Sequence, residues 1–221
     1  MKRINALAAV IVFAGVLVAP AMAGAAPNGP GASGWHLGYY TPSGRTLSTS
    51  QAAPGAGLAA INFTAQDNTA LLIDTQGNSP FLGNDLGKTV TATFTISGAS
   101  ADFTYYGEPV ANGASASTRL FFETSYAGGF SPTKYWWADN ATASYNLANG
   151  TITISAVVDP AGNWSAFYGE PSATYDGSFS AAASNVTGIG FSFGGGSGYE
   201  NGVGTTNGSG TFTLTSFSVS S

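Results

Sequence analysis

Two pentapeptides in this chain echo one another around a carboxylate. Tyr105-Tyr106-Gly107-Glu108-Pro109 returns as Phe167-Tyr168-Gly169-Glu170-Pro171. Gly and Pro end strands, so each copy leaves a Glu at a strand exit. Two such carboxylates are the groups a glycosidase needs, one as general acid and the other as nucleophile or base. Glu123, between them in sequence, is the third candidate. The plainer explanation is two similar strand-to-turn exits, each with an ordinary surface Glu. Paired-carboxylate hydrolysis is therefore the alternative, and a non-catalytic role leads.

A second constellation is aromatic. Tyr135, Trp136 and Trp137 are consecutive, Trp164 follows a turn, and Tyr199 lies in a glycine-rich stretch. A sugar ring packs its apolar C–H face on a flat indole or phenol, while its hydroxyls bond to Asn, Asp, Gln or Glu. Neighbouring strand residues point to opposite faces. If Trp136 faces the core, Tyr135 and Trp137 face out, and the converse holds. One large aromatic then falls on the non-core side unless a loop covers it. Against this stands the habit of large aromatics to fill cores. Tyr135, Trp136, Trp137, Trp164 and Tyr199 are the expected carbohydrate contacts.

Other chemistry is thin. His36 is the single His and there is no Cys. That excludes a thiol nucleophile, a thiolate zinc site and a disulfide framework. A triad would need His36 to meet a Ser and an Asp in space, and no nucleophile-elbow motif is present. The glycine-rich stretch from Gly194 to Gly210 opens no helix, so it lacks the helix N-terminus of a phosphate loop. Hydrophobic residues make up 43% of the 221, which excludes a disordered chain. A net charge of −5 argues against a nucleic-acid partner. Charged residues are only 8%, against roughly 25% in an average soluble domain, so most of the surface must be uncharged.

The elements that position these residues begin after an address. Lys2 and Arg3 precede an apolar run from Ala6 to Ala19, then Pro20 and the small-x-small site Ala21-Met22-Ala23. This pattern predicts a signal peptide over residues 1–23, cut after Ala23, and a secreted product. The run is shorter than the ~20 residues of a membrane-crossing helix, and no later stretch is long enough, so no membrane span follows cleavage. Residues 24–34 read as a flexible lead-in and 35–221 as one domain.

Within that domain period-two alternation recurs. Val90, Ala92, Phe94 and Ile96 alternate with threonines, as do Ile152, Ile154, Ala156 and Val158 with Thr151, Thr153 and Ser155. Ile189, Phe191 and Phe193 alternate with Gly188, Gly190 and Ser192. Each reads as a half-buried antiparallel strand. Phe212 and Leu214 share one face, and the odd step to Phe217 and Val219 predicts a bulge. Weaker strand candidates are Trp35–Tyr40, Leu58–Phe63, Ala70–Asp74, Asp102–Tyr106, Thr118–Thr124, Lys134–Ala138, Thr142–Leu147 and Trp164–Tyr168. Asn149-Gly150 reads as a tight hairpin turn and Asp159–Asn163 as another turn. Ala181–Asn185 makes one helical turn. Roughly a dozen short strands with turns every ~8–12 residues indicate an all-β, two-sheet antiparallel sandwich.

The order of features from Lys134 to Leu214 adds a resemblance. An aromatic strand, Asn149-Gly150, Asp159-Pro160-Ala161-Gly162-Asn163-Trp164-Ser165, the strand Ile189–Gly196 and the closing Gly210–Leu214 follow one another. This order resembles the C-terminal half of jelly-roll, galactose-binding-like carbohydrate-binding modules and related secreted proteins. The resemblance implies a jelly-roll sandwich with polysaccharide as partner, held on a concave face or by loops at one edge. Many such modules carry a structural calcium; the sequence leaves one open here but offers no Asp-x-Asp-x-Asp run in its support, and no other cofactor is expected. A third class, a structural or adhesive surface protein without a small ligand, fits the same scaffold. The glycan and the oligomeric state are left open by the sequence.

Overall fold

The computed structural model describes residues 34–41, 44–50, 57–64, 69–77, 79–98, 103–105, 116–124, 131, 133–166, 169–195, 199–206 and 208–221. Alternating apolar and hydroxyl residues do here what a pleated backbone demands of them. Strands are numbered in chain order. The larger sheet runs Trp164–Ser165 (β11), Tyr135–Ala138 (β8), Ser117–Glu123 (β7), Gly188–Gly194 (β12), Leu71–Asp74 (β4), Trp35–Thr41 (β1) and Gly44–Ser50 (β2). Ser144–Asn146 (β9) also pairs with β7. The smaller sheet runs Gly150–Val157 (β10), Thr89–Ser97 (β5), Gly210–Ser220 (β14) and Ala59–Phe63 (β3). Val203–Thr205 (β13) and Phe103–Tyr105 (β6) form a separate pair. All these pairings are antiparallel.

The two main sheets pack face to face, which is the all-β sandwich the alternation predicts. Leu72, Leu120, Phe122, Trp136, Phe191 and Phe193 from the larger sheet meet Ile61, Phe63, Val90, Phe94, Phe212 and Leu214 from the smaller. Phe94 stacks on Phe212 within its sheet at 4.6 Å and meets Phe191 edge-on across the gap at 5.7 Å. These are the offset and edge-to-face arrangements that ring quadrupoles favour. A register shift between Leu214 and Ser216 returns Phe217 to the inner face, as the odd apolar spacing predicts. The helix Asp176–Ala183 (α1) closes one end of the core through Phe179, whose ring meets Trp136 at 4.9 Å and Phe122 at 5.6 Å.

Three local expectations are corrected. Asn149-Gly150 does not close a hairpin, because β9 pairs with β7 in one sheet and β10 with β5 in the other. The turn chemistry is local, but the chain uses it to change sheets. β12 is buried on both faces, not on one. Its outward residues are small and lie under their neighbours: a Cβ on Gly188 would meet Glu123 Oε1 at 2.8 Å. The helix is longer than one turn and starts at Asp176, where Gly177 and Ser178 are weak helix formers; burial of Phe179, Ala182 and Ala183 overrides that weakness. By contrast, Asp159–Asn163 turns as expected, with Gly162 N–H donating to the Asp159 carbonyl at 2.9 Å and Asn163 at φ 56°.

One buried carboxylate makes stability depend on pH. The Asp85 side chain is 1% exposed; Lys88 Nζ reaches its Oδ1 at 3.2 Å and Oδ2 has no hydrogen-bond partner. Burial raises its pKa above the ordinary 3.8, with Lys88 pulling the other way. The folded state then holds the proton more tightly than the unfolded chain, so stability falls as pH climbs from the ordinary value through the raised one. Asp85→Asn is expected to remove that fall. Thermal unfolding followed from acid to neutral pH checks it, and an unchanged slope in the variant would refute the assignment.

Candidate binding surfaces

The alternation along β8 decides where the predicted aromatic contacts go. Trp136 turns into the core, and Trp164 joins it from β11. Trp164 packs on Phe122 at 5.0 Å and donates its Nε1–H to the Val157 carbonyl at 2.7 Å. Tyr135 and Trp137 point the opposite way, out of the larger sheet. There they join Ala70, Leu71, Ile73 and Phe121 in a second apolar cluster, with Phe121 between them at 6.4 and 5.3 Å. Leu47 and Tyr199 pack onto this cluster. Tyr135 and Trp136 are 0% exposed, Trp137 2% and Trp164 1%. None of these four rings offers an open face to a sugar, so they fill cores instead of forming a platform. The reason is the one condition the alternation leaves free: the outward pair is covered.

Of the five predicted contacts, only Tyr199 is part exposed. It stands over a polar group at the rim of the second cluster. The Arg119 guanidinium lies 3.7 Å from the Tyr199 ring centroid, a cation–π contact, and Arg119 Nη1 donates to Asp139 Oδ1 at 2.8 Å. Trp137 meets the same ring edge-on at 6.3 Å. Burial pushes the Tyr199 hydroxyl above its usual pKa; the Asp139 charge pushes the same way and Arg119 opposes it. Beneath this rim Arg119 Nε and Ser192 Oγ are buried without a hydrogen-bond partner, and Ser165 Oγ is buried within reach of the Tyr199 hydroxyl. Register explains why they gather. Ser192 sits opposite Arg119 across β12 and β7, and Ser165 sits opposite Trp137 across β11 and β8. Such atoms cost ~1–3 kcal/mol each if nothing ever satisfies them. Arg119 and Asp139 escape a sequence reading because Tyr199 is distant in the chain and only sheet order joins them.

The carboxylate alternative is only partly visible. Glu108 lies outside the described residues. Glu123 is 2% exposed on the outward side of β7, opposite Tyr135 and over Gly188. Glu170 is part buried; its backbone carbonyl accepts from Ala166 N–H at 2.8 Å and its Oε2 has no hydrogen-bond partner. That copy of the pentapeptide does follow a strand exit, with Gly169 at φ 83° after β11. His36 Nδ1 lies 2.9 Å from the Ser48 carbonyl, so the ring is tied to β2 backbone. Among the described residues no three His, Asp or Glu side chains gather as a metal site. An open cleft of 330 Å³ lies between Thr124, Thr133 and Lys134 on one side and Ser178, Ala181 and Ala182 on the other, and holds none of the predicted site residues.

The outer face of the smaller sheet carries the polar half of the alternation. Thr89, Thr91, Thr93 and Thr95 on β5 lie beside Thr151, Thr153 and Ser155 on β10 and Thr211, Thr213, Ser216 and Ser218 on β14. The four strands contain no Asp, Glu, Lys or Arg. Hydroxyls pair across the strands, Thr93 with Thr153 at 2.9 Å and Thr95 with Thr151 at 3.0 Å. Thr211 donates to Asn62 Oδ1 at 3.0 Å. No protein-family model, curated protein or solved structure matches the chain.

Proposed function

We propose that this chain is an exported, non-catalytic β-sandwich that binds extracellular or cell-wall polysaccharide at the Tyr199 rim. The signal-like segment over residues 1–23 supports export. The resemblance to jelly-roll carbohydrate-binding modules supports the class of partner. The observation that carries the reading is the polar rim around a part-exposed tyrosine: Arg119 lies against the Tyr199 ring and bonds Asp139, with Ser165 and Ser192 on the same face. A sugar matches what that rim exposes: hydroxyls for the part-exposed Arg119 and Asp139 side chains and a C–H face for the Tyr199 ring. The mode differs from an exposed tryptophan row, because the sugar meets one tyrosine and a polar floor.

Affinity electrophoresis of the exported form through gels containing soluble polysaccharides tests it. Tyr199→Ala is expected to keep the fold and weaken retardation about tenfold, which is ~1.4 kcal/mol. Loss of retardation should also follow Arg119→Ala, checked against unchanged far-ultraviolet circular dichroism. No retardation in any polysaccharide, or equal retardation for Tyr199→Ala, would overturn the reading.

A second reading has one observation behind it. Burial of Tyr135, Trp136, Trp137 and Trp164 leaves no exposed row of rings for a sugar, which suits a structural or adhesive surface protein without a small ligand. Capture of a protein partner by a chain that no polysaccharide retards would favour it.

A further inference from the structure

We propose that the hydroxyl face of the smaller sheet is a second binding surface, and that it adsorbs to the ordered surface of an uncharged polysaccharide. The proposal rests on the polysaccharide reading for its class of partner, but on different residues. Three features of this face bear on what it can meet. Its strands carry no charge, whereas solvent-facing sheets ordinarily use Lys and Glu for solubility and to guard edge strands such as β3 and β10. A charged partner would find nothing here to pair with. A protein partner would find no Trp, Tyr or Arg anchor of the kind that dominates protein interfaces. An uncharged, hydroxyl-bearing partner is the one whose chemistry the face mirrors.

The second feature is order. Thr151, Thr95 and Thr213 form one row across β10, β5 and β14, and Thr153, Thr93 and Ser216 form the next. Strands lie ~4.8 Å apart and same-face residues ~6.8 Å apart along a strand. The result is a two-dimensional grid of hydroxyls, which only a partner with its own repeat can engage at many points together. A crystalline polysaccharide presents such a repeat; a short soluble oligosaccharide engages too few points to be held.

The third is preorganisation. Threonine is stiff at its first side-chain torsion, and cross-strand bonds fix the Thr93–Thr153 and Thr95–Thr151 pairs further. Each bonded pair spends one hydroxyl hydrogen and keeps the other, with lone pairs to spare, so both donor and acceptor capacity are left for a partner. Little side-chain freedom is lost on contact, so many weak bonds add without a large ordering cost.

The experiment is a pull-down of the exported form on crystalline cellulose and crystalline chitin, beside the amorphous form of each. Wild type should pellet with at least one crystalline solid and less with its amorphous form. A Thr93→Val plus Thr153→Val variant keeps the branched shape and removes a hydroxyl pair, and its partition should fall about tenfold. Thr213→Lys, at the sheet centre, is the second arm should the first fail to fold, and it should fall as far. Tyr199→Ala should pellet like wild type while losing retardation by soluble polysaccharide, which separates the two surfaces. Equal pelleting of wild type and both face variants would overturn the proposal, even with the rim intact. So would failure of wild type to pellet with either crystalline solid, or a dimer in sedimentation that Thr213→Lys dissolves, since the face would then be a self-contact.

Discussion

Trp136→Ala is expected to lower the free energy of unfolding by ~3–5 kcal/mol. The indole is 0% exposed and wedged between β7 and α1, with Phe179 edge-on at 4.9 Å. Truncation opens a cavity where sheet and helix meet, and neither side can collapse into it without the other. Against a typical total of ~5–15 kcal/mol, a loss of that size brings the chain near unfolding. Trp136→Phe should cost far less. The indole Nε1 is buried with no hydrogen-bond partner, so phenylalanine removes an unsatisfied donor along with part of the ring. Urea unfolding of the three proteins checks both statements. Equal loss for Ala and Phe would show that the indole nitrogen matters, and a small loss for Ala would show that the ring is not part of the core.

Gly190→Ala is expected to destabilise by ~3 kcal/mol or more through overpacking. A Cβ there would run into the Leu72 carbonyl oxygen and stand 3.0 Å from the Trp35 ring and 3.1 Å from the Ile73 Cα. Two of those neighbours are backbone atoms of β4, the strand that pairs with β12. They move only if the ladder parts in the middle of the larger sheet. Gly77→Ala is the control, because nothing lies within 4 Å of its added carbon. Chemical denaturation should show the Gly190 variant with a lower midpoint and the Gly77 variant close to wild type. A Gly190 variant as stable as wild type would mean that β4 and β12 can separate cheaply.

Much of the architecture is legible in the residues because threonine and aliphatic side chains alternate so regularly. β5, β10 and the bulge in β14 follow from period two and one odd step. β2 and β13 do not, since Gly44–Ser50 and Val203–Thr205 lack an alternating apolar set. The Asn149-Gly150 turn is visible locally, but which sheet each flanking strand joins is a non-local choice. The same limit governs the site. Alternation says that Trp136 and Trp137 face opposite ways, but not which is inward, nor that the outward pair lies covered. Arg119, Asp139 and Tyr199 meet only through strand order. The threonines of β5 and β10 are plain in the sequence as the polar half of the pattern. Only cross-strand register turns them into a grid.

The placement of β14 bears on how the chain is made. It lies between β5 and β3, yet it follows both in sequence by more than a hundred positions. Among the described strands β3 pairs with β14 alone, so β3 has no ladder to join until its late neighbour arrives. Contacts across so long a loop form slowly, since the loop must close before they repay it. Until β14 has been made, the smaller sheet is split, with β3 standing apart from the β5–β10 pair, so this one strand is the latch on which the sandwich closes.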